Sequence, residues 1–270
     1  MPTQFSTNAQ LIAPAAAAGA AITPSGTAWN NSAYAELIAS VSAAAVLTGV
    51  VIFPTTSVSA DFEVDIATGA AGSETVIATL KGRFAGNVAW DTAYTPLPIP
   101  IDNIASGARL SARLRKAGTD TNTWRAAITY LLKPIVGTLQ VTASPYLVVP
   151  SAAALTTLTT GGGTSWVNTT WTTVITSTAS AIVLTHVIVP TTSGSDQGGT
   201  EFDIGTGSAG SEVVVTTVRR KCRSGEGGPW IIALPSPLDN IASGVRVAVR
   251  WRGPQFSTPV VGLIYLAKPL

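Results

Sequence analysis

Charge is scarce in this sequence. Only 11% of the 270 residues are Asp, Glu, Lys or Arg, against roughly a quarter in an ordinary soluble domain. The formal net charge is +2, too small to attract a phosphate backbone, so nucleic acid is not an expected partner. With hydrophobic residues at 46%, two readings stand: partner chains cover much of the surface, or the composition is an Ala- and Thr-rich habit. One histidine and one cysteine, His186 and Cys222, rule out a multi-histidine metal centre and an intrachain disulfide. No Lys or Arg precedes Lys81, so the basic region of a secretory signal is missing. No apolar run reaches bilayer-spanning length. The expectation is a chain made in the cytoplasm, with no membrane partner.

What the sequence does hold is repetition. DNIASG at 102–107 recurs letter for letter at 239–244, and DIATGAAGSE at 65–74 faces DIGTGSAGSE at 203–212. FPTT ending at Thr56 faces VPTT ending at Thr192; YLLKP ending at Pro134 faces YLAKP ending at Pro269. Arg109 and Arg113 face Arg246 and Arg250, and Trp29 and Trp166 open the two copies. The offset drifts only between 135 and 138. A repeat of this length predicts a tandem duplication of one whole domain rather than a solenoid unit.

Each copy reads as short strands punctuated by Gly and Pro, without a helix. In copy one these cover 32–38, 43–53, 60–67, 74–83, 97–101, 109–115 and 123–132. In copy two they cover 171–173, 181–189, 200–204, 213–221, 231–234, 245–252 and 260–266. Phe62, Val64 and Ile66 alternate with Asp61, Glu63 and Asp65, the pattern of a half-buried strand. Leu97, Ile99 and Ile101 alternate with Pro98 and Pro100, which allows only an edge strand or an extended segment. In DNIASG, Asp102 is expected to start a turn and Gly107 to supply positive φ. The expected fold is all-β: two tandem antiparallel β-sandwiches, jelly-roll-like, at 28–134 and 164–270. An immunoglobulin-like sandwich is the second choice, without the paired cysteines of antibody domains. Residues 1–27 carry no charge and read as an extended N-terminal arm, either disordered alone or laid on a neighbouring subunit. On that reading their removal spares the fold and abolishes assembly. Residues 135–163 read as a linker, ordered over VGTLQVTASPYLVVP and flexible over TTLTTGGG, docked much as the arm is.

Few residues offer chemistry. Asp65 with Asp102 would suit acid/base cleavage of a glycoside, but both recur, as Asp203 and Asp239. The simpler expectation is a polar ladder, with Asp61, Glu63 and Asp65 opposite Arg109, Arg113 and Arg115. Its counterpart sets Glu201 and Asp203 opposite Arg246, Arg250 and Arg252. His186 sits among apolar neighbours without a GxSxG elbow anywhere in the chain, and reads as a strand histidine. Gly161, Gly162 and Gly163 lack the residues of a phosphate loop and read as a hinge. Cys222, inside RRKCRSGEGG, reads as a loop cysteine, with a cation-activated thiolate as the reactive alternative. The basic cluster 219–223 reads as a solvated hairpin tip or a contact for an acidic neighbour, with nucleic acid or an acidic glycan as the other possibility. Among Trp29, Trp90, Trp124, Trp166, Trp171, Trp230 and Trp251, Trp251 shares the inward phase of Val247 and Val249 and reads as core. Trp90 and Trp230 read as the exposed ones. No catalytic, cofactor-binding or metal-ligating residue is expected, and the chain is expected not to be an enzyme.

DIATGAAGSE, PLPIPIDNIASGARLSARLRK and ITYLLKP together resemble sequences of structural proteins of tailed-bacteriophage particles. The likeness covers 29–134 and 166–269, and copy two departs from it at RRKCRSGEGG and at GPQF, 253–256. It implies a non-enzymatic virion protein of sandwich fold, docked on the capsid exterior as a decoration or on the tail as collar, baseplate or fibre attachment. The implied partners are other virion proteins and further copies of the chain. The alternative is a carbohydrate-binding module that takes a host glycan.

Overall fold

A computed structural model of the chain describes residues 10–14, 19–84, 93–135, 139, 141–158, 166–189, 198–222, 231–253 and 259–268. These residues form an all-β protein without a helix. The first half contains β1 (Leu11–Ala13), β2 (Ala20–Ile22), β3 (Ala35–Ile38), β4 (Ala45–Pro54), β5 (Ala60–Thr68), β6 (Thr75–Phe84), β7 (Ala93–Ile104), β8 (Leu110–Lys116) and β9 (Trp124–Leu132). The second contains β10 (Tyr146–Val149), β11 (Thr156–Thr157), β12 (Thr172–Ile175), β13 (Ile182–Ile188), β14 (Gly198–Thr206), β15 (Val213–Cys222), β16 (Ile231–Ile241), β17 (Val247–Arg252) and β18 (Val260–Ala267).

Both halves use one strand order. In the first, β1-β9-β4-β7 forms one sheet, with β2 following β1 along β9, and β3-β8-β5-β6 forms the other. In the second, β10 and β11 flank β18 in the order β18-β13-β16, opposite β12-β17-β14-β15. Counting β1 with β2, and β10 with β11, as interrupted strands gives eight strands in two four-stranded layers, the jelly-roll arrangement. The strands named from the sequence appear within a few residues of their expected limits, except β16, which runs on past the expected end at Leu234 to Ile241. Proline-bearing β7 and β16 lie at sheet edges, because Pro98, Pro100, Pro235 and Pro237 cannot donate to a neighbour there. Gly69 and Gly207, at φ 118° and 122°, turn the chain from β5 to β6 and from β14 to β15. A Cβ on them would stand 2.8 Å and 2.9 Å from the carbonyl oxygens of Ser73 and Ser211.

The layers close on inward side chains. Phe62, Phe84 and Trp124, from three strands of both sheets, meet with ring centroids 5.2–5.3 Å apart. In the second half Phe202, Ile204, Val247, Val249 and Trp251 pack against Leu184 and Leu263. Trp251 is core, as its phase indicated.

The arm and linker depart from expectation. Over its described residues the arm is extended, but it lies on its own half: β1 pairs Leu11 with Tyr130 and Ala13 with Ile128, and β2 pairs Ala20 with Ala126. Ala13 and Ile22 are buried in the first core. The first sandwich thus begins ahead of residue 28, and removing 1–27 would strip a strand from β9. The linker does the same for the second half, since β10 and β11 pair with β18. The physical reason is shared: the layer containing β9 or β18 needs a strand on its outer side, and the preceding segment supplies it.

β10 also has a second partner. Tyr146 bridges Ala78 of β6 in parallel, which makes one nine-stranded sheet across both halves. The buried Tyr146 hydroxyl donates to the Ile99 carbonyl at 2.7 Å and accepts from the Ile99 N–H at 2.9 Å. Ile188, Val260, Ile264 and Leu266 join the first half's hydrophobic cluster. Within the described residues the halves are packed, not tethered.

Candidate functional site

The face to build is the outer side of β8-β5-β6 and its counterpart on β17-β14-β15. Alternation along β5 sends Phe62, Val64 and Ile66 inward and Asp61, Glu63 and Asp65 outward. Register then sets Glu63 opposite Arg115 on β8 and Lys81 on β6, and Asp65 opposite Arg113 and Thr79. Arg113 Nε lies 2.8 Å from Asp65 Oδ2, and the Thr79 hydroxyl donates to Asp65 Oδ1 at 2.6 Å. Arg115 Nε lies 2.5 Å from Glu63 Oε2, and Lys81 Nζ 3.0 Å from Glu63 Oε1. The polar ladder expected from the sequence therefore exists, with two changes. Asp61 is met by Arg83 at 3.5 Å, and Arg109 turns to Glu36 and Glu74, each at 3.0 Å.

The second half repeats the arrangement. Arg250 Nε lies 3.0 Å from Asp203 Oδ2, Thr217 donates to Asp203 at 2.7 Å, and Arg252 Nε lies 2.5 Å from Glu201. Arg219 takes the place of Lys81 and binds the other Glu201 oxygen. Bonds from Arg219 and then Arg252 hold the Glu201 carboxyl below the usual glutamate range. Arg246 binds Glu212 at 2.6 Å and lowers its pKa likewise. An aromatic ring lies under one arginine in each half: Arg113 is 4.8 Å from the Tyr34 ring centre and Arg250 4.5 Å from that of Trp171. The larger indole fits because Gly205 stands where the first half has Ala67; a Cβ there would come within 2.7 Å of Trp171.

One difference sets the halves apart. The acids of β5 are buried rather than half-exposed, as are Glu201 and Asp203 of β14, but only on the first half does the described chain, at 150–155, cross the outer face. Lys81 gives its three N–H bonds to Glu63, the Pro150 carbonyl and the Ala153 carbonyl, the last two at 2.5 Å. The Ala152 N–H donates to Glu63 at 2.6 Å, and the Leu155 N–H to Asp61 at 3.0 Å. Trp29 flanks Lys81, with Nζ 4.7 Å from its ring centre. Burial pulls the Lys81 pKa down while Glu63 opposes it. Nothing described crosses the same place on β15. Lys81 is 0% exposed and Arg219 73%; Trp166 is 48% exposed.

The other residues singled out in the sequence fall as follows. Asp102 does not start its turn: it lies in β7, in the opposite sheet from Asp65, and its carboxylate is bound by Lys133. Asp239 lies in β16, where its carbonyl accepts from Lys268. The structure thus separates the proposed acid/base pair in both halves. The turn itself forms later, with Gly107 and Gly244 at φ 80° and 78°. His186 is a buried residue of β13. Its Nε2 donates to the Pro96 carbonyl at 3.2 Å, its Nδ1 lies 3.0 Å from the Thr185 hydroxyl, and burial lowers its pKa to about 4. Arg219 and the backbone through Cys222 belong to β15 rather than to a loop. Trp90, Trp230, Gly161 to Gly163 and residues 223–228 lie outside the described residues. A shallow open depression beside Gly69, Gly107 and Arg109 gathers little chemistry, since Arg109 is already engaged. No group of three or more His, Cys, Asp or Glu among the described residues could hold a metal. The part of Lys81 in holding the linker was not visible in the sequence, because the residues it touches lie about 70 positions away.

The chain matches none of the protein-family models scanned and none of the curated proteins searched.

Proposed function

We propose that this protein is a non-enzymatic structural component of a tailed-phage virion, placed on the capsid exterior or on the tail. The observation that carries this reading is the use made of the outer face of β5. Its carboxylates are engaged by arginine, lysine and threonine, as befits an adhesive surface, and what they hold is a stretch of polypeptide backbone. A general acid would instead need a raised pKa, and Glu201 is shifted the opposite way. The sequence likeness of 65–74 and 96–116 to phage particle proteins points in the same direction. Quantitative mass spectrometry of density-banded phage particles tests it. The chain is expected at a fixed copy number relative to the major capsid protein; its absence from intact particles would overturn the proposal.

One observation favours a second reading, a glycan-binding module. Trp166 is 48% exposed, and nearby in sequence Asn168 accepts a bond from Arg252 at 3.4 Å, a mixed apolar and polar surface of the kind sugars stack on. Quenching of tryptophan fluorescence by bacterial surface polysaccharide would support it.

A further inference from the structure

The junction between the two halves is heterologous: a strand edge and backbone segment of the second half meet a strand edge and polar face of the first. The first half presents β6 and the Glu63–Lys81 pair. The second half presents β10, whose outer edge pairs with β6, and the segment from Pro150 that covers the pair. Each half carries both types of surface, so two of the four remain unused. Among the described residues β15, the counterpart of β6, is the free edge of its sheet, and β1, the counterpart of β10, is the free edge of another.

The side chains bear the marks of the missing contacts. Ile12 in β1 and Val148 in β10 hold the same place, opposite Thr129 and Ile264 of the last strand of each half. Val148 is 5% exposed and Ile12 48%. On the other side Arg219 is 73% exposed where Lys81 is fully buried. Val213 and Val214, at the start of β15, are 68% and 42% exposed, although Thr75, in the place of Val213, is exposed beside the formed junction too. β15 is ten residues long and contains no proline, unlike the edge strands β7 and β16. A long proline-free edge with exposed valines is the kind of edge that recruits another strand. The sequences entering the two positions also agree: Leu11, Pro14 and the alanines of 16–18 recur as Leu147, Pro150 and the alanines of 152–154.

We infer that copies of this chain join head to tail, the β1 edge of one copy pairing in parallel with the β15 edge of the next, so that the junction inside each chain recurs between chains. Gln10 would stand opposite Thr216 as Tyr146 stands opposite Ala78. The Pro14 carbonyl would accept from Arg219 as that of Pro150 accepts from Lys81. Three contacts have no counterpart. Gln10 lacks the hydroxyl that Tyr146 sets on Ile99, and the His186 bond to Pro96 has no second histidine to repeat it. Gly199 stands in the place of Asp61, so the N–H of Gly19 would find no carboxylate where that of Leu155 finds one. Heterologous contacts of this type close into rings or extend as filaments, according to the rotation they impose. The inference rests on the structural reading above only in taking this face as a protein-docking surface, and it holds whether or not the protein belongs to a phage.

The test uses full-length chains and two blocked variants, Ile12→Asp at one end and Arg219→Glu at the other. Both positions are exposed. Circular dichroism and a cooperative melt will show that each variant folds, Arg219→Glu at a lowered melting temperature because its carboxylate faces Glu201. Mass photometry of the wild-type chain over a concentration series should show species beyond the dimer. Each variant alone should associate at least tenfold more weakly, while an equimolar mixture of the two should form a dimer and go no further, because only one productive pair of ends survives. Arg219→Lys, which copies the first half, should assemble as the wild type does. A wild-type chain that stays monomeric throughout the series overturns the inference, as does a mixture that forms no dimer. If Arg219→Glu instead abolishes polysaccharide quenching in a monomeric protein, the face is a glycan site and the inference fails. Particle mass spectrometry decides the virion reading separately.

Discussion

His186 of the second half donates from Nε2 to the carbonyl of Pro96 in the first, 3.2 Å away. A carbonyl only accepts, so a proton sits on Nε2; burial disfavours a second one on Nδ1, which lies beside the Thr185 hydroxyl. Tyr146 stacks edge-on against it at 5.7 Å.

This contact makes the junction sensitive to acid. Burial lowers the folded-state pKa of His186 to about 4, below the unfolded value of about 6.5. Protonation therefore favours the unfolded chain. The stabilising contribution is complete above pH 6.5 and is lost as pH falls through 4, by about 3 kcal/mol in all. Urea midpoints measured between pH 7 and pH 4 should fall accordingly. In His186→Gln that part of the slope should vanish; a slope equal to the wild type's would assign the acid sensitivity to other groups.

The ladder predicts a specific coupling. Asp65→Arg and Arg113→Asp should each cost about 3 kcal/mol, because each leaves like charges facing each other on a largely buried face. The double exchange should recover part of the loss. Recovery is incomplete because Thr79 can no longer donate to residue 65 and the Tyr34 ring loses its cation. A double-mutant cycle by urea denaturation reads the coupling, and strictly additive losses would refute the pairing.

Gly205 and Trp171 form a matched pair, as Ala67 and Tyr34 do. Gly205→Ala should destabilise the protein by about 1–3 kcal/mol, the range for overpacking, since the new methyl group meets the indole. Adding Trp171→Tyr, which reproduces the first half, should return most of that loss. Thermal melts of the single and double variants would show it.

Deleting residues 1–22 should destabilise the fold itself. The cut removes the partner of β9 and the buried Ile22 and Ala13, worth about 2–4 kcal/mol of apolar burial. A melting temperature equal to that of the intact chain would show that β1 and β2 contribute nothing to the sandwich.

Much of this fold was legible in the sequence where a strand carries its own signal. The alternation of 61–66 gave both the core side of β5 and the acids of the ladder. Pro98 and Pro100 placed β7 at an edge. What escaped notice was structure defined only by a distant partner. β1, β2 and β11 are two or three residues long, too short for any period to appear, and their place is fixed by β9 and β18. Nothing in the sequence set Lys81 apart within the strand at 74–83; its burial depends on chain that arrives from residues 150–153. Asp102 was read as a turn former from local chemistry, whereas the ladder of β4 with β7 extends the strand as far as Ile104.

The ladder has a further consequence for how this protein meets anything in solution. Charges held about 3 Å from their opposites act at a distance as small dipoles, and the field of a dipole fades faster than that of a charge. Beyond a Debye length of about 8 Å at physiological salt, the paired faces exert almost no pull. An approaching molecule is neither steered nor repelled, so encounter should proceed at the unassisted rate of about 10⁵–10⁷ M⁻¹s⁻¹ and change little with ionic strength. Selectivity then resides in how long a correct neighbour stays, not in how fast it is found.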